Sequence, residues 1–306
     1  MDHLQLLSST VVLFHLGKLR HASTVVAARW WRRDEHLAVI ITQESPFHPV
    51  DHKWPDQPGD VGTLLIDRQW LPVLNTIVVA ISSDSGEWHF DRDIPVPRGV
   101  DGWLWCVGHV ICLFDLTPEV FVGQSAELQV DSAKRLHLNA GHTASHLFSF
   151  AFNTAAREFW RPGHAARFDS LRSPNLDQLA IQSSTILPDK SLDHYRFGKS
   201  LTKAGFRSAD FLPALEQVST RTNETIQQWI ACGAPIAIES SLPTLDGRRE
   251  WVCQLPVGVA RMLCGGTHLQ TLEHLADVRV EFERLPGVPE IRVHTFATLK
   301  AEVGEG

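Results

Sequence analysis

Apolar positions fall into two textures along the chain. In residues 1–130 they form short runs at 25–28, 37–42, 64–66, 76–81 and 103–114, separated by clusters of Pro, Gly and Asp. Short runs bounded by turn formers predict β-strands, and their number suits a small β-barrel or sandwich. From residue 139 the texture changes. Within 139–160 there is no glycine after Gly141 and no proline until Pro162, so a helix is predicted over 139–160 with Asn139 as its N-cap. Residues 211–232 predict a second helix, closed by Gly233 and Pro235. Strand-like runs return at 236–240, 250–255, 278–284 and 291–297. Helices followed by strands indicate an α+β arrangement, with helices packed on a largely antiparallel sheet. No internal repeat interrupts this order.

A length of 306 residues is enough for two domains with their own cores. Charge divides the chain in the same place as texture: residues 1–130 carry 9 Lys/Arg against 16 Asp/Glu, and 131–306 carry 19 against 19. The expected domains are therefore 1–130, a β-barrel, and 131–306, an α+β domain. A net charge of −7 excludes a uniformly basic nucleic-acid coat, so any nucleic-acid contact must be local. The longest apolar stretches, 76–82 and 103–114, fall well short of the roughly 20 residues of a membrane span. Asp2 and His3 open the chain without a cationic segment, and 11–16 is short for a signal sequence, so a cytoplasmic location is expected. Five cysteines at irregular spacing do not make a disulfide framework and point to reduced or metal-bound thiols.

Candidate chemistry concentrates in two short motifs. Gly141-His142-Thr143-Ala144-Ser145-His146 places two imidazoles four residues apart, on one face of the predicted helix. Cys264-Gly265-Gly266-Thr267-His268 flanks a Gly-Gly turn with a thiol and an imidazole, the sulfur and nitrogen donors that zinc prefers. Taken singly, each motif is as well explained by ordinary core residues. Catalytic zinc keeps three protein ligands and an open position, whereas structural zinc is closed by four. His142, His146 and Cys264 are read as firm ligands, and His268 as a weaker ligand or a base sharing its position with water.

Together, HTASH and CGGTH resemble the zinc signature of the editing domain of alanyl-tRNA synthetases and of their freestanding AlaX-type relatives, in that family's order. The resemblance extends to Phe47-His48-Pro49, to Gln57-Pro58-Gly59-Asp60 with Gly62, and to 212–235 with Glu216 and Asn223, covering most of 44–285. One departure stands out: the family's glycine run before Gln57 is replaced by Asp51-His52-Lys53-Trp54-Pro55-Asp56. The resemblance implies a freestanding, zinc-dependent deacylase acting in trans on mischarged tRNA, most readily seryl- or glycyl-tRNA(Ala). It also makes Gln57 the candidate reader of a seryl hydroxyl. Thr143 and Thr267, beside the ligands, are candidates for supporting hydrogen bonds.

For the tRNA, residues 157–207 hold 9 Lys/Arg against 5 Asp/Glu, and Arg196, Lys199, Lys203 and Arg207 recur at helical spacing. They predict a basic stripe for acceptor-stem phosphates. Among ten tryptophans, Trp30, Trp31, Trp54 and Trp103 are candidates to stack on a terminal adenine, although most tryptophans belong in a core. The alternatives are a zinc hydrolase of another small ester or amide, and a non-catalytic tRNA-binding module with structural zinc.

Overall fold

The computed structural model describes residues 8–165 and 167–301 of the 306-residue chain; Asp2 and His3 lie outside them. The chain forms two compact units. The first takes residues 1–135 together with Ser240–Arg249 and Gly265–Thr267, and the second takes Leu136–Glu239, Glu250–Cys264 and the residues from His268 onward.

The first unit is built from β1 (Val11–Val12), β2 (Arg20–Arg32), β3 (Leu37–Thr42), β4 (Glu44–Ser45), β5 (Gly62–Ile66), β6 (Gln69–Val73), β7 (Asn75–Ser82), β8 (Trp88–Phe90), β9 (Trp103–Cys112) and β10 (Ser125–Val130). Eight of them form one antiparallel sheet in the order β6-β5-β10-β2-β3-β9-β7-β8. The central strands read as unbroken apolar runs because both sheet faces are covered. Ala38 and Ile40 of β3 enter one core with Trp105 and Leu128, while Val39 and Ile41 enter a second with Ile77 and Val79. The expected barrel is not found. Among the described residues the sheet stays open between β6 and β8. Pro72 suits β6 to an edge, since proline has no N–H for a second neighbour, and β8 is three residues long.

The loop holding Phe47, His48 and Asp60 is pinned from inside. The buried Asp60 carboxylate accepts from the His48 N–H and from Arg135, whose Nε lies at 2.8 Å. Arg135 Nη2 also donates to the Pro46 carbonyl at 3.0 Å. Gly59 is obligatory at its position, because a Cβ there would stand 2.1 Å from the Thr76 carbonyl oxygen. Burial beside Arg135 and Arg98 pushes the His48 imidazole down to about 3, so it stays neutral at physiological pH.

The second unit contains α1 (Ser132–Ala155, from Leu136 onward), α2 (Leu176–Ala180), β11 (Ile181–Leu187), β12 (Lys190–Arg196), α3 (Lys199–Lys203), α4 (Ser208–Phe211), α5 (Leu215–Ile230), β13 (Ile236–Ser240), β14 (Arg249–Leu255), β15 (Gly258–Leu263), β16 (Leu275–Arg284) and β17 (Glu290–Leu299). Its four-stranded sheet, β11-β12-β17-β16, is antiparallel throughout, and β13-β14-β15 form a second sheet. The mixed helix and antiparallel-sheet character agrees with an α+β fold. Helix α5 covers the edge strand β16. Asn223 uses its amide as a substitute strand, accepting from Val280 N at 2.8 Å and donating to Val280 O at 3.0 Å, which removes an exposed sheet edge.

Three local expectations are corrected. Helix α1 begins at Ser132 instead of at Asn139, because Asp131 supplies the cap by accepting from Lys134 N at 2.9 Å. The helix predicted over 211–232 is broken into α4, a 3-10 turn at Leu212–Ala214 that contains Pro213, and α5. The hairpin β11–β12 stands between the helices and was not predicted. Its β11 strand is largely polar, and Asp189 at positive φ makes its turn.

Candidate metal centre

Helix α1 is the spine of the site. Phe148, Phe150 and Phe152 bury its C-terminal half in the core of the second unit. Gly141 lets its N-terminal half lie against the β11–β12 turn, where a Cβ would stand 2.5 Å from Leu187 O and 2.7 Å from Lys190 O. The next residue, His142, and His146 one turn later therefore face inward from a fixed segment, 2% and 6% exposed.

Strand β15 delivers Cys264 at its end, and the chain returns at His268. The four side chains meet: one ligand atom from each of His142, His146, Cys264 and His268 lies within 4.8 Å of all the others. Cys264 Sγ is 3.5 Å from His142 Nε2 and 3.3 Å from His268 Nε2. Zinc bonds of 2.0–2.3 Å at tetrahedral angles place ligand atoms about 3.3–3.8 Å apart, so these spacings fit such an ion. His146 Nδ1 is buried without a hydrogen-bond partner. Burial, then the neighbouring His142, pushes the His146 imidazole well down, which keeps it neutral as a ligand requires. The cluster can thus hold a metal ion such as zinc, and the residues present fit one.

Supporting contacts surround the donors. Thr143 Oγ1 accepts from Leu269 N at 3.1 Å and lies 3.4 Å from His268 Nδ1, so one hydroxyl fixes both the returning chain and an imidazole. Trp251 meets His146 edge to face at 5.0 Å and stacks on Phe150; its position on β14 carries no sequence motif that would have marked it. Thr143→Val is expected to weaken metal binding about 10- to 100-fold with the fold retained, and Thr143→Ser to restore most of it. Titration with a competing chelator measures both.

A scan against protein-family models matches no family, and a search of the curated proteins finds no match.

The other predicted site residues are placed as follows. In the first unit, Gln57 is 1% exposed and grips Thr267: its Nε2 donates to Thr267 Oγ1 at 2.7 Å and its Oε1 accepts from Thr267 N at 2.9 Å. Beside it, Asp56 accepts from Gln57 N, and burial pushes its carboxyl up to about 6. In the replaced segment, Asp51 accepts from Lys53 N and Trp54 N and pairs with Arg98 at 3.1 Å. Arg98 Nη2 stands 3.1 Å from where a Cβ of Gly265 would be, so Gly265 leaves room for that guanidinium. No sequence spacing links Arg98 to the CGGTH run.

The four cations of the basic stripe do not lie on one helix. Arg196 ends β12 and faces Glu290, Lys199 and Lys203 belong to the one-turn α3, and Arg207 precedes α4 and pairs with Asp210. Gly205, at φ +99, separates the last two groups. Of the tryptophans considered for stacking, Trp54 is exposed at 45%, while Trp30, Trp31 and Trp103 are half-buried. No helix of the described residues is long and apolar enough to cross a membrane.

Proposed function

We propose that this protein is a zinc-dependent hydrolase that deacylates mischarged aminoacyl-tRNA, with seryl- or glycyl-tRNA(Ala) as its substrate. The supporting observation is the meeting of HTASH and CGGTH, far apart in sequence, in one four-donor cluster. Zinc held by His142, His146 and Cys264 would supply a water of lowered pKa and a Lewis acid for the ester carbonyl. His268, steadied through Nδ1 by Thr143, either completes the ligand set or holds a proton beside it. Its Nε2 lies as near to Cys264 Sγ as a ligand atom would, which favours a second reading, a tRNA-binding module with a closed structural zinc.

Gln57 belongs to this account as a positioning residue, since both ends of its amide are engaged by Thr267. Gln57→Leu leaves the buried Thr267 N–H without that acceptor, at a cost of about 1–3 kcal/mol. The expected result is a similar fall in kcat/KM for seryl and glycyl substrates. A fall confined to the seryl substrate would instead assign Gln57 to the hydroxyl. The reading as a whole is tested with a panel of mischarged tRNAs and zinc-replete protein. Release of amino acid from at least one supports it, and absence of release from all of them, with zinc bound, favours the closed structural site.

A further inference from the structure

The two edges of the sheet β11-β12-β17-β16 differ. At one, β16 is covered by α5, and the Asn223 amide satisfies both the N–H and the carbonyl of Val280. At the other, β11 is paired with β12 and, among the described residues, with no further strand. A strand paired on one side only presents a row of free N–H and C=O groups on the other, which is a template for adding a strand. Proteins blunt such edges with charge, proline, shortness or a covering element. In the first unit β6 carries Pro72 and β8 is three residues long. β11 uses none of these devices: its seven residues, Ile181-Gln182-Ser183-Ser184-Thr185-Ile186-Leu187, include no charge and no proline.

The pattern of β11 is complementary to itself. A bulge between Ile181 and Ser183 leaves Ser183–Leu187 as a regular ladder against β12. Within it Ser184 and Ile186 lie opposite the buried Asp193 and Ser191 and so face the core, while Ser183, Thr185 and Leu187 are exposed on the other face. Laid antiparallel about a two-fold axis through Thr185, this stretch sets Thr185 against Thr185, Ser183 against Leu187, and Ser184 against Ile186 of a second copy. Residues directly opposite in an antiparallel pair share a face, so exposed positions meet exposed ones and inward positions meet inward ones. No like charges are opposed, and a Thr–Thr pair is a favourable cross-strand contact. An axis through Ser184 would instead bring Leu187 against Ile181, beyond the bulge, where the faces no longer match.

We propose that β11 is a dimerisation edge, on which a second copy of this chain adds its own β11 antiparallel and joins the two four-stranded sheets into one. The occupant is a second copy because this strand matches itself in face and in charge. An isologous contact of this kind closes with two copies, and α5 already covers the outer edge of each. So short a junction belongs with interfaces below about 1,200 Å², so the dimer is reversible and depends on concentration.

The test is sedimentation velocity of the full chain over a concentration series, with hydrogen exchange of the backbone amides measured at both ends of the series. A monomer–dimer equilibrium is expected, with amides in Ser183–Leu187 exchanging more slowly in the dimer. Thr185 is exposed, so its replacement disturbs little within one copy. Thr185→Lys sets like charges directly opposite each other and is expected to weaken the dimer about fivefold or more, and Thr185→Glu likewise. An equimolar mixture of the two variants is expected to recover the dimer, which a misfolded variant could not do. A chain that stays monomeric up to about 1 mM, a weak affinity for any specific contact, overturns the proposal and leaves the edge to a strand of another protein. A dimer that both variants leave unchanged, or that adds no protection at Ser183–Leu187, places the contact elsewhere and overturns it as well.

Discussion

Cys264→Ser is expected to lower zinc affinity at least about 100-fold and to abolish ester hydrolysis in step, since even residues one layer behind a metal ligand are worth roughly 10- to 100-fold. A serine hydroxyl is a harder donor than a thiolate and keeps its proton at neutral pH, so it replaces neither the charge nor the softness of sulfur. Cys264 follows directly on β15 and is only partly buried, so the change removes little packing. On the proposed reading, binding of tRNA would rest on phosphate contacts elsewhere and should change little. Metal content, serine release and a thermal melt on the same preparation separate the outcomes. Loss of metal and activity with an intact fold fits a catalytic centre, whereas collapse of the fold with the metal fits a structural one.

The largest effect on stability is expected at Asp60 and Arg135. Both side chains are 2% exposed, and the carboxylate holds the guanidinium and the His48 N–H together. Asp60→Ala leaves a buried, unpaired cation, a loss of about 3–5 kcal/mol, read in calorimetry as a fall on the order of 10 °C in the first unit's transition. Asp60→Leu combined with Arg135→Met should recover much of that loss, because apolar groups of similar volume leave no unpaired charge. A change below about 1 kcal/mol in the single variant would show that the ion pair does not pin this loop. On this account Gly59 and Asp60 of the QPGD run serve the architecture: one permits close approach to Thr76, and the other anchors the buried pair.

The four candidate metal donors were legible in the sequence because their chemistry is local: i and i+4 on a helix, and a thiol and imidazole around Gly-Gly. The strands buried on both faces, such as β3 and β7, were legible as apolar runs. Amphipathic and polar strands such as β10, β11 and β12 were not, because alternating residues like those of Ser125–Val130 resemble loop or helix surface until a neighbour is known. Closure of the sheet was not legible, since short apolar runs predict strands and not whether the last pairs with the first. Gln57 was singled out, but its partner Thr267 lies 210 residues away, so its engagement was invisible. The spacing of Arg196, Lys199, Lys203 and Arg207 reads as one helix face, whereas Gly198 and Gly205 bound the one-turn α3 and leave Arg196 on β12 and Arg207 before α4.

X-ray absorption at the zinc edge on protein purified without chelator tests the metal centre most directly. The account predicts one zinc per chain, with one sulfur at about 2.3 Å and two or three nitrogen neighbours at about 2.0–2.1 Å, the sulfur shell vanishing in Cys264→Ser. Protein that carries no zinc and takes none up, or zinc bound without a sulfur neighbour, would contradict it.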